Sequence, residues 1–224
     1  MQIGKYTLGR EIGRGGMGTV YESFHPQLSR AVAIKLIQSS DAESRRIFMY
    51  EAQTVAGLSH PHIINIFDVD EHQGQPFLVM ELFQTSLADR IANQPLVPTE
   101  LIPIALQLTD ALDYAHGQAI IHRDIKPANV LLRQDETPVL ADFGLARAMA
   151  NATTHTAGLL VGTPAYMAPE QFLHEPATVR SDLYALGVLL FEALTGQVPF
   201  DGDTTAIIKG HLQQPVPSMH TLAA

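Results

Sequence analysis

The chain has 224 residues, 46% hydrophobic and 17% charged, which excludes a disordered or fibrous protein and leaves room for one or two domains with a sizeable core. Fourteen basic against twenty-three acidic side chains give a net charge of -9, which repels a phosphate backbone and argues against nucleic acid as a partner. Cysteine is absent, so a disulfide scaffold and thiolate metal sites are excluded, a usage compatible with a cytoplasmic location, and the ten histidines show no pairing suited to zinc. Residues 1–5 lead straight into a strand-like segment, so no signal peptide is expected. The longest apolar run, residues 183–190, is far shorter than the roughly 18 residues of a membrane span.

In chain order, residues 6–14, 18–24 and 31–37 carry β-branched and aromatic residues punctuated by glycine, which predicts a meander of antiparallel strands. Gly13, Gly15 and Gly18 let a backbone approach phosphates closely, and they equally suit an ordinary glycine-rich hairpin. A dinucleotide-binding turn does not fit, because Thr19-Val20-Tyr21 continues as strand where that fold needs a helix. Ser40 with Glu43 resembles a capping box, and Phe48, Ala52, Val55 and Leu58 recur at helical spacing, which predicts a helix over residues 41–58 with one face on the sheet. Residues 66–71 and 75–81 predict a hairpin turning at Gln73-Gly74 and closing that sheet.

Beyond Phe83 the pattern becomes helical. Leu101, Ile104, Ala105, Leu108, Leu112 and Ala115 make one apolar face that starts near Pro98-Thr99 and stops at Gly117. Residues 181–194 are apolar almost all round, predicting a helix buried on most sides and ending at Gly196, and residues 204–212 form a further helical stretch. The expected class is α+β, with an antiparallel sheet and one helix first and a mainly helical part after it. Small ligands usually sit between such parts.

Three short runs carry chemistry: His122-Arg123-Asp124 with Asn129 five residues further on, Asp142-Phe143-Gly144, and Ala168-Pro169-Glu170. Moving the terminal phosphate of a nucleotide requires cations to neutralise its charge, oxygen ligands to hold them, and a carboxylate beside the incoming hydroxyl. Asp142, Asn129 and Asp124 supply those oxygens. Upstream stand Gly13-Arg14-Gly15-Gly16-Met17-Gly18-Thr19-Val20 and Val32-Ala33-Ile34-Lys35. With these runs the chain resembles the eukaryotic-like serine/threonine protein kinases from Tyr6 to about Leu212, and His122-Arg123-Asp124-Ile125-Lys126-Pro127-Ala128-Asn129 is most similar to the bacterial branch.

The resemblance implies a two-lobed protein-kinase-like fold with residues 1–81 as N-lobe, 82–86 as hinge and 87–224 as a partial C-lobe. It implies ATP and Mg2+ as cofactors. Lys35 would contact the α and β phosphates, with Glu51 pairing to it. Asp124 would be the base, and Lys126 would steady the transferring phosphate and mark serine or threonine, not tyrosine, as the acceptor. Asn129 and Asp142 would ligate magnesium. The nucleotide would be covered by Ile12, Gly13, Arg14, Gly15, Gly16, Met17, Gly18, Thr19 and Val20. Val20, Ala33 and Leu131 would wall the adenine, with Met80 as gatekeeper and the backbone of Glu81 and Phe83 as hinge contacts. Asp182, whose bland reading is a carboxylate favoured by a helix dipole, would anchor the catalytic loop through backbone N–H groups, and the Thr163 hydroxyl would touch that loop.

Thr153, Thr154 and Thr156 would be regulatory phosphorylation sites in an activation segment, each phosphate adding about -1.5 to -2 charges that could pair with Arg123. The implied function is ATP-dependent phosphoryl transfer to serine and threonine hydroxyls of proteins, with autophosphorylation and room for dimerisation in that step. The chain is expected to be a C-terminally incomplete kinase domain, because the arginine that the family pairs with Glu170 is not found. The competing reading is an inactive nucleotide-binding or protein-interaction kinase fragment. Small-molecule kinases share the fold but are not expected to carry Gly162-Thr163-Pro164-Ala165-Tyr166-Met167-Ala168-Pro169-Glu170.

Overall fold

In the computed structural model, which describes residues 1–15, 18–38, 42–143 and 163–219, the contacts gather into two units, Met1–Phe83 and residues 84–143 with 163–219. The first unit is built on six strands: β1 (Gln2–Ile3), β2 (Tyr6–Gly15), β3 (Gly18–His25), β4 (Arg30–Ile37), β5 (Ile66–His72) and β6 (Gln75–Met80). Every pairing is antiparallel, and the order β1-β2-β3-β4-β6-β5 places β5 at the edge, because the last hairpin returns through β6 against β4. The short β1 was not foreseen, since two residues are too few to show alternation. Gln73 and Gly74 both have positive φ, 52° and 80°, which suits a two-residue turn between right-twisted strands.

Register sorts the strand side chains into two faces. Tyr6, Leu8, Val32, Ile34, Leu36, Phe77 and Val79 pack together with Ile3 on one side. On the other, Ile37 and Leu78 meet Phe48 and Ala52 of the helix α1 (Ala42–Ala56), so the helix covers the sheet with the stripe expected of it. The proposed cap residue Ser40 lies outside the described residues. Gly18 is obligatory where it stands: a Cβ there would come within 1.9 Å of the Leu36 carbonyl oxygen, and its φ is 153°.

The second unit is mainly helical, as expected, and also holds a small sheet that the apolar pattern did not announce. A three-stranded antiparallel sheet joins β7 (Thr85–Ser86), β8 (Val130–Leu132) and β9 (Pro138–Leu140) in that order. Strands of two or three residues cannot display a period. The short α2 (Leu87–Asn93) also escaped notice, although Ser86 and Asp89 cap it reciprocally, the Asp89 N–H donating to Ser86 Oγ at 3.2 Å and the Ser86 N–H to Asp89 Oδ2 at 2.8 Å. α3 (Pro98–Gly117) buries Leu101, Ile104, Leu108, Leu112 and Ala115 against α5 (Val179–Thr195) and β9, while Ala105 is only half-buried. α4 (Pro169–Phe172) and α6 (Thr204–Gln213) complete the unit. α5 is buried on most sides through Ala185, Leu186, Val188, Leu189 and Phe191, but Val179 and Leu183 are exposed, so its apolar cover is not closed. Among the described residues no helix is long and apolar enough to cross a membrane.

Candidate active site

Residues 122–129 form a loop held from below by one carboxylate. Asp182, in the first turn of α5 and 1% exposed, accepts the backbone N–H of Arg123 on Oδ1 and that of His122 on Oδ2, both at 2.8 Å. Its place in the first helical turn also suits the helix dipole, so the two expectations for Asp182 are met together. Arg123 has φ 69°, a left-handed conformation that costs a non-glycine residue about 1–3 kcal/mol and persists only where the surroundings impose it.

His122 is fully buried and works as a spacer. Its Nδ1 accepts the Asp124 N–H at 3.3 Å, so Nε2 carries the proton and donates to the Ala141 carbonyl at 3.0 Å, while its ring packs on Phe143 with centroids 4.4 Å apart. Burial pushes the imidazole pKa down, which keeps it in this neutral form.

Asp124 is the point of convergence. Its Oδ2 accepts from Lys126 Nζ and from Asn129 Nδ2, each at 2.8 Å, and the same amide nitrogen donates to the Asp124 carbonyl at 2.7 Å. Lys126 Nζ continues to Thr163 Oγ1 at 3.1 Å, which is the contact expected of that hydroxyl. Asn129 closes a 3₁₀ turn just before β8, and Asp142 follows β9 by two residues. The pairing of Val130 with Leu140, extended by the Ala141 N–H to the Asn129 carbonyl at 2.9 Å, brings both to the same end of one hairpin. Asp142 also has positive φ, 64°. Both amide hydrogens of Asn129 are committed to Asp124, which leaves its Oδ1 as an oxygen donor at the hairpin end that also carries Asp142. Hard oxygen donors of this kind suit magnesium.

A small cleft between the loop and α5 is lined by Arg123, Asp124 and Ile125, by Thr163, Tyr166, Met167 and Gln171, and by Ser181, Asp182 and Ala185; Thr163 leads into the 3₁₀ turn Pro164–Tyr166. The Tyr166 hydroxyl donates to Glu192 Oε2 of α5 at 2.5 Å. Burial, then the carboxylate, drives the phenol pKa well up, and burial raises that of Glu192. Glu170, expected to want a partner, accepts the Ser181 hydroxyl at 2.6 Å.

Of the remaining described site residues, all but Leu131 lie in the first unit. Val20 stands opposite Lys35, and Ala33 opposite Met80, so these four share the face of the sheet on which α1 packs. Lys35 is only 5% exposed, and Glu51 is half-buried at the flank of the α1 stripe between Phe48 and Ala52. Ile12, Gly13, Arg14 and Gly15 end β2 and Gly18, Thr19 and Val20 begin β3; Arg14 forms an ion pair with Glu11 at 2.7 Å. Glu81 donates its N–H to the Asn65 carbonyl at 3.0 Å, and its carboxylate accepts from Asn65 Nδ2 at 2.9 Å; Phe83 ends the unit. Leu131 sits on β8 of the second unit. Gly16, Met17, Thr153, Thr154 and Thr156 lie outside the described residues.

One contributor was missed. His116, in the last turn of α3, donates Nε2–H to Asp182 Oδ2 at 2.8 Å and so helps fix the carboxylate that holds the loop. It follows Leu108 and Leu112 at four-residue steps, on the buried stripe, and a polar group on such a stripe needs a buried partner.

Residues 6–222 match the family model described as protein kinase domain. The chain is 42% identical over 234 residues to a probable serine/threonine-protein kinase PknB of Lactococcus lactis, covering 99% of this chain and 37% of that protein. It is 41% identical over 226 residues to serine/threonine-protein kinase PknE of Mycobacterium tuberculosis (99% and 40% covered), and 40% identical over 221 residues to PknH of the same species (96% and 35% covered). The chain thus spans 35% to 40% of the length of these relatives.

Proposed function

We propose, because this chain belongs to the protein kinase family, that it transfers the terminal phosphoryl group of ATP to serine and threonine hydroxyls of proteins. The observation that carries the reading is the clamp on Asp124: Lys126 and Asn129 both hold Oδ2, which leaves Oδ1 to receive an incoming hydroxyl. Asp124 accepts the hydroxyl proton as the new oxygen–phosphorus bond forms and the bond to the leaving diphosphate breaks. Lys126, suspended between Asp124 and Thr163, offsets charge on the group in transit. Asn129 Oδ1 and Asp142 would hold magnesium, which supplies charge neutralisation at the phosphates. Lys35, kept in place by Glu51, would meet the α and β phosphates, and its support is the register that puts it on one face with Val20, Ala33 and Met80. Residues 12–20, Glu81, Phe83 and Leu131 complete the nucleotide site. Thr153, Thr154 and Thr156 are autophosphorylation sites in this reading, with Arg123 as phosphate partner.

The test is phosphoryl transfer to casein, with calorimetry of MgATP binding alongside. Asp124→Ala should lower turnover by about 10²–10⁴ while nucleotide affinity stays. Lys35→Met and Asp142→Ala should each weaken MgATP binding. Full turnover in Asp124→Ala removes that residue from the reaction, and MgATP binding with no turnover in the unaltered chain favours a nucleotide-binding domain over an enzyme.

A further inference from the structure

Against the turn Pro164–Tyr166 packs a histidine that the mechanism does not use. His211 of α6 is 7% exposed and enclosed by rings: Phe172 at 5.6 Å, Tyr184 at 5.7 Å and Phe200 at 4.9 Å between centroids. Both of its nitrogens are engaged. Nε2 lies 3.1 Å from the Ala165 carbonyl, and Nδ1 lies 2.7 Å from the Tyr184 hydroxyl. A carbonyl can only accept, so Nε2 carries the hydrogen; Nδ1 is then bare and takes the Tyr184 proton. One tautomer satisfies both contacts. The approach is close as well as polar, since a Cβ at Gly210, the residue before, would lie 2.5 Å from Phe200 Cγ, so α6 sits as near to that ring as its backbone allows.

Ala165 is two residues from Thr163, whose hydroxyl takes Lys126, and its neighbours Tyr166 and Met167 line the cleft beside Asp124. That wall of the cleft is linked to Asp124 by two hydrogen bonds through Lys126, whose Nζ donates to Thr163 Oγ1 at 3.1 Å and to Asp124 Oδ2 at 2.8 Å. Tyr166 is tied to α5 through Glu192, but the backbone of the turn is tied to α5 and α6 through His211. Polar contacts made by a single tautomer in an aromatic enclosure fix direction as well as distance, because the ring can neither rotate nor exchange partners without leaving a buried group unsatisfied.

We propose that His211 is a positioning residue for the protein substrate: through its Nε2–H to Ala165 and its Nδ1 to Tyr184, it fixes the wall at residues 163–167 that faces Asp124. The inference rests on Asp124 being the base, and it concerns the acceptor side alone, not the nucleotide.

The test uses the full chain and reads amide hydrogen exchange at residues 163–167, with KM and kcat for casein and KM for MgATP. His211→Phe keeps a ring and removes both hydrogen bonds; Tyr184→Phe removes only the hydroxyl that orients the tautomer; His211→Gln restores a donor towards Ala165. In folded His211→Phe, exchange at residues 163–167 should quicken about tenfold, with the casein KM raised by a similar factor, the MgATP KM unchanged and kcat little altered, the pattern of lost ground-state positioning. Tyr184→Phe should show the same changes in smaller measure, and His211→Gln should recover part of them. Unchanged exchange at residues 163–167 in folded His211→Phe overturns the proposal, as does a rise in both KM values together. If His211→Phe does not fold, Tyr184→Phe decides in the same two directions. Asp124→Ala run beside them separates the readings: full turnover there removes the base, while the exchange data still decide whether His211 fixes the turn, and they do so even if casein is not phosphorylated.

Discussion

Asp182 accepts the backbone N–H of Arg123 at 2.8 Å, from a residue 59 positions later in the chain, and Arg123 is one of the residues with positive φ. The same carboxylate takes the His122 N–H and His116 Nε2–H, so one side chain satisfies three donors, one buried and two part-buried. In Asp182→Ala these donors lose their acceptor, each costing about 1–3 kcal/mol, and the left-handed Arg123 loses the hydrogen bond that its backbone N–H donates to Asp182. Urea unfolding should show a loss of about 3 kcal/mol or more, and phosphoryl transfer should fall further than the melting loss accounts for. A loss below about 0.5 kcal/mol would mean that the loop is held by other contacts.

Thr163→Val tests the link from the cleft wall to the base. Lys126 Nζ would keep Asp124 Oδ2 but lose Thr163 Oγ1, at nearly constant side-chain volume. A hydrogen bond to a charged group contributes about 1.5–3 kcal/mol, so turnover should drop by about ten to a hundredfold while MgATP affinity, measured by calorimetry, holds. Turnover within a factor of two of the unaltered chain would release Thr163 from the arrangement.

How much of this was legible in the sequence depended on period and on motif. The strands of the first sheet and the faces of α1 and α3 were readable because Val32, Ile34 and Leu36 alternate, and because Leu101, Ile104 and Leu108 recur at helical spacing. β7, β8 and β9 were not, since runs of two or three residues carry no period and Pro138 argues against strand unless it stands first, as it does. Asp124, Lys126 and Asn129 were legible as a motif, and the structure brings them within 2.8 Å contacts. His116 and His211 were not, for their significance lies in partners 66 and 46 residues away, which no local pattern announces.

Tyr166→Phe isolates the other tie between the turn and α5. Glu192 is half-buried and its carboxyl pKa is raised by burial, so without the phenol its charged form loses a donor in a place that already disfavours charge. The expected loss of stability is about 1–3 kcal/mol, read by urea unfolding, and the Glu192 pKa should climb further, read by carboxyl NMR. A variant as stable as the parent, with the Glu192 resonance unmoved, would show that water replaces the phenol.

The last prediction concerns acid. Burial holds the His211 imidazole pKa below its ordinary value, and the groups that face it are the Tyr184 phenol of α5, itself raised by burial and by Glu170 of α4, the Ala165 carbonyl, and the rings of Phe172 and Phe200. The phenol stays neutral throughout the range, so the imidazole is the group that changes. In the unfolded chain the same imidazole takes up a proton near pH 6.5. Below that pH the unfolded state therefore binds more protons than the native one, and stability falls as pH drops from about 6.5 towards the native pKa, while above about 6.5 this contribution is fully present and flat. The slope from one group cannot exceed about 1.4 kcal/mol per pH unit. His122, also buried neutral, adds a slope of the same sign and remains in the variant. Urea unfolding of the parent and of His211→Phe between about pH 5 and 8 should then give parallel curves above pH 6.5 and a shallower acid limb in the variant. Acid limbs of equal slope would show that His211 is protonated in the folded chain as readily as in the unfolded one, and that the single-tautomer contact with Ala165 and Tyr184 does not survive in solution.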